Sequence, residues 1–340
     1  MSPKEKIHYQ FLEADKKKLI KELGKETLCA ALQKMLLIRN FEIRAESAYL
    51  AGKVGGFFHS YIGQEAIQTG CVEALGLEHW YTTTYRCHAL ALLNGVEPNQ
   101  IMAELYGKKT GNAQGRGGSM HLYADHLLGG FGIVGGHLPI ATGAGFSLKY
   151  QDKKDLISIC YMGDGAFVQG AVHESINLAA LWDLPCLYVI ENNQWGMGTA
   201  VNRAVCNQPI AENFSKGYGI KGYTIDGMDF FSCFHGFKTF CKEIIETKRP
   251  ILVEALTERF KGHSVSDPGL YREKEALEEA KKKDPIIRFK HDLIDHKIIT
   301  EEEYKLMDKE MKDIAVKSME FAENSEDPDP LTLEEGVFAP

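Results

Sequence analysis

DLISICYMGDGAFVQGAVHESINLAALWDLPCLYVIENNQWGMGT, Asp155 to Thr199, is the stretch whose reading decides the fold. Leu156, Ile157, Ile159, Cys160, Tyr161 and Met162 form a nearly continuous apolar run, the pattern of a strand buried on both faces of a parallel sheet. Gly163-Asp164-Gly165 follows as a tight turn, where glycine permits unusual backbone angles and close approach of a ligand. Apolar residues then recur at helical spacing from Gln169 to Trp182. Pro185 stops that helix, and Cys186 to Ile190 reads as a second buried strand ending in Glu191-Asn192-Asn193. The spacing predicts a strand–helix–strand crossover with Asp164 and Asn193 at carboxyl ends of parallel strands, where open α/β sheets bind their ligands.

A carboxylate and an amide oxygen at one point make a hard-oxygen site suited to Mg²⁺, which also keeps waters and takes phosphate oxygens. The helix after Gly165 offers free N–H groups and a positive dipole end to an anion. A diphosphate held by one divalent cation satisfies both halves. Either half alone fits an ordinary crossover whose Asp caps the helix. Gly-Asp-Gly, then 26 residues (166–191), then Asn-Asn in that context is far more specific, and it resembles the fingerprint of thiamine diphosphate-dependent enzymes.

Composition bounds the alternatives. A chain of 340 residues with 44% hydrophobic and 25% charged content has the make-up of a soluble globular protein able to bury a core. Its net charge of −8 argues against nucleic acid and anionic membranes as partners. Eight scattered cysteines without a CxxC pair point to reduced, buried thiols and a cytoplasmic location. The opening MSPKEKIHYQFLEADKKK lacks a signal-peptide core and is too acidic for a typical transit peptide, and no apolar run approaches a membrane span.

Along the chain, residues 1–24 read as a charged arm and 25–50 as a long amphipathic helix ended by Ala51-Gly52. His59 lies in a loop between aromatic residues, where a lone histidine usually serves packing. A helix from Gln64 to Leu75 precedes a strand at residues 80–84, which delivers Tyr85 and Arg86 at its end, a good phosphate clamp. Gly111 to Pro139 holds nine glycines in 29 residues and reads as an extended, packed loop, with Gly132-Ile133-Val134 able to bring backbone against a flat ligand. A small-residue helix follows from Pro139 to Tyr150. Further elements are a strand at 223–227, a helix at 230–248, a buried strand at 250–256 and a polar loop, Glu258 to Gly269, carrying His263, Ser264 and Ser266. From Tyr271 to about Asn324 the chain is Lys/Glu-rich helix, either a solvated tail or an oligomer-facing arm. The predicted organisation is a 25–265 α/β domain, with 266–340 as a C-terminal helical arm packed on the same unit.

Seven blocks extend the likeness over most of the chain: FFHSYIGQEA (57–66), TTTYRCH (82–88), GRGGSMHLYA (115–124), GIVGGHLP (132–139), GDGAFVQG (163–170), LPCLYVIENNQWGMGT (184–199) and RFKGHSVSDPGLYR (259–272). Together they resemble the alpha subunits of the decarboxylating component of 2-oxo acid dehydrogenase complexes, closest to the pyruvate type. The resemblance implies a parallel-sheet thiamine diphosphate-binding fold. It implies Mg²⁺ on Asp164, Asn193 and the backbone carbonyl of Trp195, a position that is usually Tyr. Tyr85 and Arg86 match the diphosphate clamp, Gly165 and Ala166 its lining, Gly132 and Val134 the aminopyrimidine contacts, and His59 and His263 the histidines facing the substrate carbon. Ser264 matches a position phosphorylated in some relatives, while the equivalent of a second loop serine is missing before Tyr271. The implied reaction is decarboxylation of a small 2-oxo acid and acylation of the lipoyl group of a dihydrolipoyl acyltransferase partner. It requires a separate beta subunit in an α2β2 assembly, because the length leaves no room for a second α/β unit of the needed ~150 residues. Acetoin cleavage is the nearest alternative and the branched-chain type a weaker one. A silent diphosphate-binding module would be expected to have lost Asp164, Asn193 or the histidines. A plain nucleotide-binding fold lacks its G-x-G-x-x-G here.

Overall fold

Ile7 and residues 9–337 are described by the computed structural model. The predicted crossover is present. Strand β3 (Ser158–Gly163) and strand β4 (Cys186–Asn192) run parallel, joined by the short helix α6 (Asp164–Phe167) and helix α7 (Gly170–Leu181). They lie at the centre of a six-stranded sheet with β1 (Trp80–Thr84), β2 (Leu127–Phe131), β7 (Lys221–Asp226) and β8 (Ile251–Leu256). The order is β2-β1-β3-β4-β8-β7, and every pairing is parallel. A two-stranded hairpin, β5 (Trp195–Gly196) and β6 (Thr199–Ala200), stands beyond the end of β4.

Strand side chains alternate between the two faces, so each face builds its own core. Ile157, Ile159, Tyr161, Leu187 and Val189 join one cluster, against α1 (Lys16–Leu50), α2 (Glu65–Leu75) and α10 (Phe230–Thr247). Cys160, Met162, Cys186, Tyr188 and Ile190 join the other, with α7 and α5 (Leu138–Tyr150). The smaller helices α3 (His88–Leu93) and α4 (Pro98–Leu105) follow β1, and α8 (Val201–Ala204) and α9 (Ile210–Phe214) precede β7.

Three expectations need correcting. The first helix starts at Lys16 rather than near residue 25: Asp15 caps it by accepting from Lys18 N–H, and Leu19 and Ile20 are buried. Gly24, at φ 72°, bends the chain without ending the packed segment, so residues 16–24 belong to the body. Residues 1–6 and 8 of the expected arm lie outside the described residues, as do 338–340. The glycine-rich segment is not all loop, because LLGGF pairs with β1 as edge strand β2. The C-terminal region is three helices, α11 (Lys274–Lys281), α12 (Pro285–Asp295) and α13 (Glu301–Glu323), separated by helix-start signals at Asp284-Pro285 and at Thr300, which forms a capping box with Glu303.

The last two helices pack on the body. α13 lies along α1 and α4, and Phe289 of α12 stacks on Phe230 of α10 with ring centroids 4.3 Å apart. Among the described residues no helix is long and apolar enough to cross a membrane. Phe289→Ala should cost about 3–5 kcal/mol, the range for a buried aromatic truncation. Chemical denaturation should still show one transition with a lowered midpoint. A separate early transition confined to α12 and α13 would show that the arm folds as its own unit.

Candidate active site

The carboxyl ends of β1, β2, β3, β4 and β8 all open on one cavity of about 400 Å³. Gly163, Asp164, Gly165 and Ala166 enter it from β3, Glu191, Asn193 and Trp195 from β4, and Thr84, Tyr85 and Arg86 from β1. Val134 reaches it from the loop after β2, and His263 from the loop after β8. Gly165 is required here by space, since a Cβ on it would lie 2.9 Å from Cα of Gly196 in the β5–β6 hairpin. That contact lets the turn and the hairpin close on the cavity together.

Asp164 is 2% exposed and makes no ion pair among the described residues. Burial pushes its carboxyl up to about 7, against the pull of nearby backbone N–H groups and Arg259. Asn193 donates its side-chain N–H to Gln64 Oε1 at 3.1 Å, which leaves its own Oδ1 to accept, and the Trp195 N–H approaches that oxygen at 3.4 Å. Beside the cavity Gln64 Nε2 is buried without a partner. One unpaired buried carboxylate and a fixed amide oxygen form a donor set that fits a hard divalent cation completed by a backbone carbonyl, waters or phosphate oxygens. No cluster of three His, Cys, Asp or Glu side chains competes for a metal among the described residues.

Arg86 is buried and donates to the carbonyl oxygens of Ser60 and His263, each at 2.6 Å. It therefore ties the two histidine loops together while its charge stays at the cavity wall. The His59 ring lies 4.3 Å from Tyr85 and 5.0 Å, edge-on, from His263. Burial, then the Arg86 charge, holds His59 down to about 2, and burial with Arg86 and Arg259 holds His263 down to about 4. Both rings are neutral near pH 7.

The Dehydrogenase E1 component family model matches residues 33–331 of this chain. The chain belongs to that family. It is similar to the pyruvate dehydrogenase E1 component subunit alpha of Rickettsia conorii, 41% identical over 318 residues that cover 92% of this chain and 96% of the relative. The same-named protein of Rhizobium meliloti is 42% identical, covering 91% and 89%, and the mitochondrial one of Schizosaccharomyces pombe is 37% identical, covering 94% and 77%.

Nine of the eleven residues singled out from the sequence line the cavity of this E1 chain: Tyr85, Arg86, Val134, Asp164, Gly165, Ala166, Asn193, Trp195 and His263. His59 stands just behind, against Tyr85 and His263. Gly132 lies outside the lining, beside His121. Three residues escaped sequence reading. Gln64 orients Asn193. Glu191, pushed up to about 7 by burial, is held by Tyr61 O–H and by Gln68 Nε2 at 3.2 Å. Arg259 is fully buried, donates to Met197 O at 2.8 Å and Tyr271 O–H at 2.9 Å, and leaves Nε and Nη1 unpartnered. For Glu191 and Arg259 the available signal was a charged residue ending or following an apolar strand, which reads in sequence as a simple boundary, and Gln64 stands uncharged at the start of α2.

The two histidines carry a pH signature. Their folded values lie below the usual 6.5, so the unfolded chain takes protons first as pH falls. The stability they contribute is full above about 6.5 and is lost as pH drops toward 4 for His263 and toward 2 for His59. Ring carbon shifts of ¹³C-labelled His59 and His263 should stay constant from about pH 8 to 5. A midpoint near 6.5 for either would contradict the buried, cation-flanked setting.

Proposed function

We propose that this chain is the alpha subunit of a thiamine diphosphate-dependent pyruvate dehydrogenase component, active only with a separate beta subunit. One observation carries the reading: the unpaired, buried Asp164 carboxyl beside the fixed Asn193 amide, at adjacent strand ends, in a chain of the E1 family. Asp164, Asn193 Oδ1 and the Trp195 carbonyl would hold Mg²⁺. Gly165 and Ala166, with Tyr85 and Arg86, would take the diphosphate, and the Val134 backbone the aminopyrimidine, with Gly132 just outside the cavity lining. Bound thiamine diphosphate supplies the electron sink for loss of CO₂ from pyruvate. Neutral His59 and His263 hold or pass a proton at a ring nitrogen during attack and acyl transfer to the lipoyl group of a dihydrolipoyl acyltransferase. Ile133, Val134, Ile140 and Phe146 are exposed around and behind the cavity mouth and suit an apolar subunit contact. Residues 16–265 would form the binding domain with 266–340 packed on it, and eight free cysteines suit a reducing, cytoplasmic setting.

The purified chain should bind thiamine diphosphate weakly and release no CO₂ from pyruvate, and adding the beta subunit should restore both. Robust decarboxylation by the chain alone would overturn the two-chain reading, and acetoin cleavage without pyruvate turnover would reassign the substrate.

In the assembled enzyme Asp164→Ala should abolish Mg²⁺-dependent cofactor binding with the fold near native. Full activity at ordinary cofactor concentration would remove Asp164 from the metal site. His263→Ala should lower acyl transfer to lipoyl by about 10²-fold or more while cofactor affinity changes little. Equal losses of both would make His263 structural.

A further inference from the structure

Behind the cavity a second polar pair lies fully buried between α1 and the histidine loops. Glu42 projects from α1, and His88 opens α3. His88 Nε2 is 2.8 Å from the Ser119 carbonyl oxygen, and Nδ1 is 3.1 Å from Glu42 Oε1. A carbonyl oxygen only accepts, so Nε2 carries a proton. Nδ1 and a carboxyl oxygen at hydrogen-bond distance also need a proton between them, since two facing lone pairs repel. The pair therefore holds two protons and is neutral in sum, whether written as imidazolium–carboxylate or as imidazole–carboxylic acid. Neutrality in sum is what permits such burial, for a lone carboxylate there would be severely penalised. The other titratable or charged groups facing the pair are Arg86 and Cys87, from the turn before α3, and His59.

What the imidazole holds gives the pair its role. The Phe58 ring stacks on it with centroids 5.0 Å apart. The Phe58 carbonyl accepts the Val265 N–H at 3.0 Å, and Ser119, whose carbonyl His88 holds, donates its hydroxyl to the Phe57 carbonyl. The segment leading into His59 and the residue two beyond His263 thus rest on one ring. We propose that Glu42 and His88 are positioning residues: the proton shared between them locks the imidazole, and the imidazole sets the His59–His263 spacing. The proposal rests on the reading that those two histidines face the substrate.

The test uses Glu42→Gln and Glu42→Leu in the α/β holoenzyme. The glutamine amide donates to Nδ1 of a neutral imidazole, so Glu42→Gln should stay within about twofold of wild type in kcat and in amide exchange at Val265. Leucine keeps the volume and removes the proton link. Glu42→Leu should speed Val265 exchange and lower kcat, each by about tenfold or more, with KM for pyruvate and cofactor affinity within about threefold. If Glu42→Leu folds poorly, the double variant Glu42→Leu/His88→Phe fills the site with apolar groups, keeps a ring against Phe58, and should show the same kcat loss. Wild-type kcat and exchange in a folded leucine variant would overturn the proposal, as would Glu42→Gln failing as badly as Glu42→Leu. Should wild-type holoenzyme prove inert toward pyruvate, the functional reading falls, while the exchange contrast between the Gln and Leu variants still decides the positioning role.

Discussion

Six consecutive Cα pairings run between β3 and β4, from Ser158 opposite Cys186 to Gly163 opposite Glu191. Both strands are buried on both faces, so each alternate residue already has a place in one of two cores. A one-residue slip would exchange every side chain between those cores, which makes this register strongly specified. Neighbouring strands in a sheet lie about 4.8 Å apart, and both chains leave the sheet at the same level. The apolar packing of Ile159, Tyr161, Val189 and Ile190 therefore decides where the polar Asp164 and Asn193 meet. The Glu191 carboxyl, anchored by Tyr61 and Gln68 from the α2 side, secures the same edge from below.

Charge at that edge is divided by strand. The carboxyls of Asp164 and Glu191 come from β3 and β4, while the guanidinium groups of Arg86 and Arg259 follow β1 and β8. Neither arginine makes an ion pair among the described residues; backbone carbonyls and a tyrosine hydroxyl receive their N–H groups instead. In a medium of low effective dielectric, cations left unpaired in this way act over longer distances than they would in water. They suppress protonation of the histidines, while Arg86 also keeps its positive charge at the cavity wall.

Much of this was legible in the sequence because it was local. A continuous apolar run, a Gly-Asp-Gly turn, a helical period and a Pro stop each act within a few residues, and β3, α7 and β4 appeared where those signals lay. Strand β2 escaped because Leu127-Leu128-Gly129-Gly130-Phe131 has glycines where a strand normally has β-branched residues. Gly130 is needed there because a Cβ would lie 2.5 Å from Cys87 Cβ. The start of α1 escaped because lysines mask two buried side chains, Leu19 and Ile20. The Asp164 and Asn193 pair was legible through spacing. Gln64, Arg259 and the Glu42–His88 link are long-range partners, and no pattern within one segment marks them.

The N-terminal segment covers one border of the sheet. Phe11 forms a parallel bridge with Thr224 of β7, and Leu12 N–H donates to the Thr224 carbonyl at 3.0 Å. β7 would otherwise present a bare row of backbone donors and acceptors at that border of the sheet, a template for another chain to pair with. A few residues laid along it occupy the central part of that row. That pairing blunts the sheet border, and removing the segment would leave this stretch of β7 backbone open to a strand from another molecule.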